Sequence, residues 1–170
     1  MEVLVGFASE HGSTRGVAER ISTRLIDSGL IVETRPLTVE LDPAGYHAFV
    51  LGSAVHNGAW MPQAADFVRR SSQALAQHPV WLFSVGLSRI VADRFGRLAT
   101  EPRQIPEFLR SVHPVQHHQF AGAFYRDQTS FFGHLVFKAL RGRYGDHRDW
   151  KEIDGWAEQI ASNLTRPQDR

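Results

Sequence analysis

The sequence predicts an α/β fold, a three-layer sandwich in which helices cover both faces of a five-stranded parallel sheet. Short, continuous apolar runs recur along the chain. Amphipathic stretches alternate with them at roughly 30-residue spacing, the pattern of βαβ units joined by right-handed crossovers. The size agrees, since 170 residues, 42% of them apolar, suffice for one core and one domain, expected over residues 1–165. Residues 166–170 are expected to fray.

The first strand is the run Val3, Leu4, Val5, Gly6, Phe7 and Ala8, apolar throughout as a strand covered on both faces must be. Val17, Ile21 and Leu25 then recur every fourth position, Ala18 and Ile26 widen the stripe, and Gly29 is placed to end the helix. Residues 31–37 set Glu33 and Arg35 among apolar positions, which predicts a less buried strand near a sheet edge, and Pro43 marks the connection that follows. Residues 48–53 repeat the pattern of the first strand. A loop of small and polar residues comes next, before Ala64, Phe67, Val68 and Leu75 mark a second helix. Val80 to Val85, with Trp81, Leu82 and Phe83, form the fourth strand. A short helix over residues 105–112 precedes the fifth, expected over 119–125. Ile153, Trp156, Ala157, Ile160, Ala161 and Leu164 fall on one helical face, so the last helix buries that face on the sheet.

Composition removes several function classes. The 19 basic and 18 acidic side chains leave a formal net charge of +1, which argues against a nucleic-acid partner. With no cysteine, disulfides, thiolate metal sites and thiol redox chemistry are excluded, so redox activity would need a cofactor. Nine histidines, His117 and His118 among them, show no metal-ligand spacing. The first residues lack a basic n-region and a long apolar h-region, and no apolar run approaches the ~20 residues of a membrane span. A cytoplasmic protein is expected.

In an open parallel sheet, ligands bind beyond the carboxyl ends of the strands, where the strand order reverses. The loops after the first, third and fourth strands are therefore the informative ones. The first is Ser9, Glu10, His11, Gly12, Ser13 and Thr14, lying between an apolar strand and an amphipathic helix. Its hydroxyls, its glycine and the unpaired amides of the helix start make a phosphate cradle without lysine. The other reading is that Ser13 or Thr14 caps the helix and Gly12 only turns the chain. A P-loop and a G-x-G-x-x-G turn are both absent, so a monophosphate suits the loop better than a nucleoside triphosphate or NAD. No G-x-S-x-G elbow precedes a helix, which disfavours a hydrolase.

Ser9-x-x-Gly12-x-Thr14 after the first strand, with Gly52-Ser53-Ala54-Val55-x-x-Gly58 after the third, resembles the flavodoxin superfamily. Phe83-Ser84-Val85-x-Leu87, Gly122-Ala123, and Asp146-x-x-Asp149-Trp150 with Ile153 and Trp156 resemble, more narrowly, the flavodoxin-like menaquinone-dependent protoporphyrinogen oxidases. His11 departs from the hydroxyl usual at its position in flavodoxins. The resemblance implies a flavodoxin-like sheet of order 2-1-3-4-5 and an FMN cofactor whose phosphate lies on Ser9, Glu10, His11, Gly12, Ser13 and Thr14. It also puts Ser53, Ala54, Val55, His56, Asn57, Gly58 and Trp60, together with Ser84, Val85, Gly86, Leu87 and Ser88, around the isoalloxazine. Trp60 either stacks on the flavin or anchors the next helix. His56 and Asn57 either donate hydrogen bonds to it or are solvated loop residues. Phe67, Phe83 and Trp156 read as core.

The activity implied is oxidation of protoporphyrinogen IX to protoporphyrin IX in heme biosynthesis, with a quinone as acceptor. The alternatives are a flavodoxin-type electron carrier and an FMN-binding module without turnover. The flavin carries the chemistry, so no catalytic side chain is assigned. Arg89, Arg94, Arg97 and Arg103 either hold propionates or form a solvated basic surface. Residues 131–143 mix Phe131, Phe132 and Phe137 with Lys138, Arg141 and Arg143. They form either an amphipathic helix at the inner face of the membrane or an ordinary core helix.

Overall fold

A computed structural model of the chain describes residues 1–87, 89, 100–124 and 145–166. In chain order these form β1 (Glu2–Ala8), α1 (Ser13–Asp27), β2 (Ile31–Pro36), β3 (Ala48–His56), β4 (Ala59–Trp60), α2 (Pro62–Arg70), α3 (Ser72–Leu75), β5 (Val80–Gly86), α4 (Ile105–Ser111), β6 (Gln116–Ala121), β7 (Ala123–Phe124), β8 (Gly145–Asp146) and α5 (Trp150–Thr165). The long strands run parallel in the order β2-β1-β3-β5-β6, the expected 2-1-3-4-5. β4 adds an antiparallel partner to β3, and β7 with β8 forms a separate antiparallel pair.

Successive strand residues face opposite sides of a sheet, so one apolar run feeds two cores. Val3, Val5, Val50, Trp81 and Phe83 meet Val17, Ile21, Trp156 and Ile160 of α1 and α5. Leu4, Phe49, Leu51 and Leu82 meet Phe67, Val68, Ile105 and Phe108 on the side of α2 and α4. Phe67, Phe83 and Trp156 are buried, as the sequence indicated. Gly52 is required by this packing, because a Cβ there would lie 2.1 Å from the Phe83 ring. Helices α1 and α5 are tied by Asp154, which accepts from Arg20 Nε and Nη2 at 2.6 Å each and from Arg24 Nη2 at 2.8 Å. Those guanidinium hydrogen bonds hold its carboxyl well below the usual carboxylate range.

Three boundaries differ from expectation. The fifth long strand spans Gln116–Ala121 rather than 119–125. Among the described residues it pairs with β5 alone, and its polar first half (Gln116, His117, His118) offers no apolar run to mark where the ladder begins. Gly122 then breaks the run before β7. The helix read through Leu75 divides at Ser71 into α2 and α3. The loop expected after the third strand is a β-hairpin: Asn57 and Gly58, at φ of 51° and 72°, make a two-residue turn between His56 and Ala59. Among the described residues no helix is long and apolar enough to cross a membrane. Residues 131–143 and 167–170 lie outside the described part, as do Arg94 and Arg97.

Candidate functional site

The registers Ala8↔Ser53 and Ser53↔Ser84 bring the carboxyl ends of β1, β3 and β5 side by side, so the three predicted loops converge. Between β1 and α1 the chain turns at Gly12, whose φ of 86° is left-handed; a Cβ there would meet nothing within 4 Å but would strain the backbone. The Gly12 amide donates to Ser9 Oγ at 3.0 Å, and the Gly16 amide to the Gly12 carbonyl at 2.9 Å. No side chain caps α1. Ser13 Oγ instead accepts from the Ala123 amide at 2.8 Å. Thr14 is 1% exposed, and its Oγ1 is buried with no hydrogen-bond partner among the described residues. Capping therefore does not account for the hydroxyls of this loop.

The hairpin β3–β4 touches that loop through Glu10, whose Oε2 lies 2.9 Å from His56 Nε2. Both side chains are half exposed, and His11 and Asn57 are exposed beside them. Trp60 behaves differently from a flavin-stacking aromatic. It is 2% exposed, with its ring centroid 5.4 Å from that of Phe108 and Nε1 donating to Ser84 Oγ at 2.7 Å. The indole anchors the hairpin to the α4 side of the core, a role that differs from both of its readings, a flavin stack and an anchor for the helix that follows.

Ser53 and Ser84, assigned to the cofactor, are likewise buried and engaged within the protein. Ser53 Oγ accepts from the Met61 amide at 2.9 Å and donates to the Ala54 carbonyl at 2.8 Å. Ser84 Oγ, besides accepting from Trp60, lies 2.8 Å from His117 Nε2, and His117 Nδ1 lies 3.4 Å from Glu101 Oε1. Burial pushes the His117 imidazole down while Glu101 opposes it. A neutral His117 that accepts from Ser84 and donates to Glu101 satisfies every member. The order serine, histidine, carboxylate resembles a hydrolytic set, but this serine is sealed beneath Trp60 and no substrate reaches it. Val85 is buried as well. Gly86 lies against Val55, where an added Cβ would sit 3.1 Å from that side chain's own. Leu87 is half buried, and Ser88 lies outside the described residues. Exposed at the convergence are Glu10, His11, Gly12, His56, Asn57 and Gly58, with Ser9, Ser13, Ala54, Val55 and Leu87 half buried beside them.

The model of the flavodoxin domain family matches residues 4–150. The chain belongs to that family. Many solved structures share its fold, three of which illustrate the likeness. A flavodoxin from the domain Archaea aligns at TM-score 0.63 and 15% identity, over 98% of this chain and 100% of its own. Oxidised flavodoxin 2 from Bacillus cereus aligns at 0.62 and 17%, over 98% and 100%. Rubredoxin oxygen:oxidoreductase from Desulfovibrio gigas aligns at 0.62 and 15%, over 96% of this chain and 36% of that one. No curated protein sequence matches.

Two further features of this flavodoxin domain escaped the sequence. A cavity of about 380 Å³ lies on the β2 side of the first loop, lined by Phe7, Ser9, Leu37, Val39 and Gln63 among others. Arg89, read as either a propionate holder or part of a solvated basic surface, has Nη2 3.4 Å from Glu152 Oε1, which also sits 3.1 Å from His118 Nε2. A partner 63 residues away leaves no local trace in sequence. The hairpin, by contrast, was signalled by the Asn57-Gly58 dipeptide. Among the described residues no group of histidines and carboxylates is arranged to hold a metal ion.

Proposed function

We propose that this flavodoxin domain binds FMN and carries electrons, its phosphate held by the backbone amides and hydroxyls of Ser9, Glu10, His11, Gly12, Ser13 and Thr14. The buried Thr14 hydroxyl at the start of α1, which has no partner among the described residues, carries the reading. A buried hydroxyl without a partner costs about 1–3 kcal/mol, and a phosphate oxygen supplies what it lacks. The helix start adds unpaired amides and a partial positive charge, and the left-handed Gly12 keeps the approach free of side chain. Val55, His56, Asn57 and Gly58 of the hairpin, with Gly86 and Leu87, would flank the ring system. Bound FMN supplies hydride or single-electron transfer. The chain's own share is to hold the phosphate, keep the hairpin at a fixed height through Trp60 and Ser84, and leave an edge open to a redox partner. This role needs no acid, base or nucleophile.

A second reading, oxidation of a porphyrinogen with a quinone as acceptor at the inner face of the cell membrane, draws support from charge. The 19 basic and 18 acidic groups give no acidic field to steer the domain onto a basic redox partner. Titration of the purified chain with FMN, FAD and riboflavin, followed by anaerobic reduction, tests the first reading: FMN should bind best and be reducible in place. Porphyrin formation from porphyrinogen and a menaquinone analogue, above the uncatalysed rate, would favour the second.

A further inference from the structure

Behind the first turn of α1 lies a strap that neither the fold nor the flavin reading has used. The β7–β8 pair docks there through the Ala123 amide, which donates to Ser13 Oγ at 2.8 Å. From β8 the chain passes to Arg148, whose side chain is 15% exposed. Its guanidinium donates to Asp146 through Nε at 2.8 Å and Nη2 at 2.6 Å, and its Cζ stands 4.5 Å from the centroid of the Trp150 ring. Asp149 accepts from the Lys151 and Glu152 amides and so fixes where α5 begins. The third nitrogen of the fork meets α1: a Cβ on Gly16 would lie 2.5 Å from Arg148 Nη1. The end of an arginine can usually swing aside. This one is held by a bidentate carboxylate and an aromatic face, so whatever pushes on it pushes on the whole strap.

We propose that Arg148 is a positioning residue for the phosphate-holding turn. It touches the helix at Gly16, one turn beyond Gly12, and with the Ala123–Ser13 hydrogen bond it fixes the attitude of the loop amides relative to the carboxyl end of β1. Gly16 is glycine because the guanidinium occupies the space of its side chain. Asp146 orients the fork, and Trp150 supplies the plane on which it rests. The proposal rests on the flavin reading, since the turn it positions is the one assigned to the phosphate. It differs from a general packing role in one respect: only the phosphate-dependent part of binding runs through this turn.

The test titrates the full-length apoprotein with FMN and with riboflavin, following flavin fluorescence, in the wild type, Arg148→Ala, Arg148→Lys, Gly16→Ala and the Arg148→Ala/Gly16→Ala double variant. Thermal melts accompany each. Arg148→Ala and Gly16→Ala should each raise the Kd for FMN roughly tenfold, the scale expected when a residue orienting a binding group is lost. Riboflavin affinity should stay within about twofold by the same reasoning. Arg148→Lys keeps the charge without the fork and should fall between. The double variant should bind FMN no worse than Arg148→Ala, because the added methyl then meets nothing. Unchanged FMN affinity in Arg148→Ala, equal loss for FMN and riboflavin, or additive losses in the double variant would each overturn the proposal. A wild type that binds no FMN would overturn the flavin reading and this inference with it. Wild-type binding with indifferent variants overturns the inference alone.

Discussion

Thr14 and Ser84 are both buried hydroxyls beside the carboxyl ends of the strands, and they stand in opposite chemical situations. Ser84 Oγ accepts from Trp60 and meets His117, and Ser53 next to it is engaged with Met61 and Ala54. Thr14 Oγ1 has no partner among the described residues. A hydroxyl whose hydrogen bonds are complete contributes to the fold. One that has lost water and gained nothing is an acceptor and donor waiting for a ligand. Buried hydroxyls on α1 and on the neighbouring strands β3 and β5 thus differ in whether the protein itself supplies their partners, which no motif states.

That contrast breaks first at Trp60. If the indole is scaffold, Trp60→Ala should lower the unfolding free energy by about 3–5 kcal/mol in a urea titration, the cost of removing a buried aromatic. A loss below about 1 kcal/mol together with a large drop in FMN affinity would restore the stacking role.

Thr14→Val sharpens the comparison, because its two effects have opposite signs. Exchanging the lone hydroxyl for a methyl of similar shape should leave the apoprotein as stable or more so. It should weaken FMN by about 1.5–3 kcal/mol, the worth of a hydrogen bond to a charged group. Melting of the apoprotein and a flavin titration read the two separately. A destabilised apoprotein with unchanged FMN affinity would return Thr14 to the scaffold.

The smallest effect is in pH. Burial depresses the folded pKa of His117 below its ordinary 6.5, so the unfolded chain binds the proton more readily. Its contribution to stability is complete above about pH 6.5 and is lost as the pH falls through the depressed folded value. His117→Gln should flatten this part of the melting temperature against pH profile between pH 7 and pH 5. An unaltered slope would place the acid sensitivity elsewhere.

The fold was legible because strands buried on both faces are written as nearly continuous apolar runs, and residues 3–8, 48–53 and 80–85 are such runs, interrupted by glycine and by Ser53 and Ser84 alone. The same rule fails at the sheet edge. His117 and His118 joined β6 without apolar neighbours to announce them, which is why the strand starts earlier than expected. In the site, the first loop was legible as chemistry because its residues are contiguous. The fate of Trp60 was not: an aromatic after a turn suits a flavin face and a core equally, and Ser84, 24 residues on, decides between them. Asp146 and Trp150 stood out as part of a motif, yet the guanidinium they hold, and the glycine it faces on α1, become apparent only when the two ends of the chain are brought together.

The pairing of Ala123 with Asp146 and of Phe124 with Gly145 has an evolutionary consequence. It sets two stretches of chain more than 20 residues apart in sequence side by side against the first turn of α1, where the Ala123 amide meets Ser13. Substitutions on either strand therefore reach the same turn of α1, and the two strands are expected to change together rather than singly.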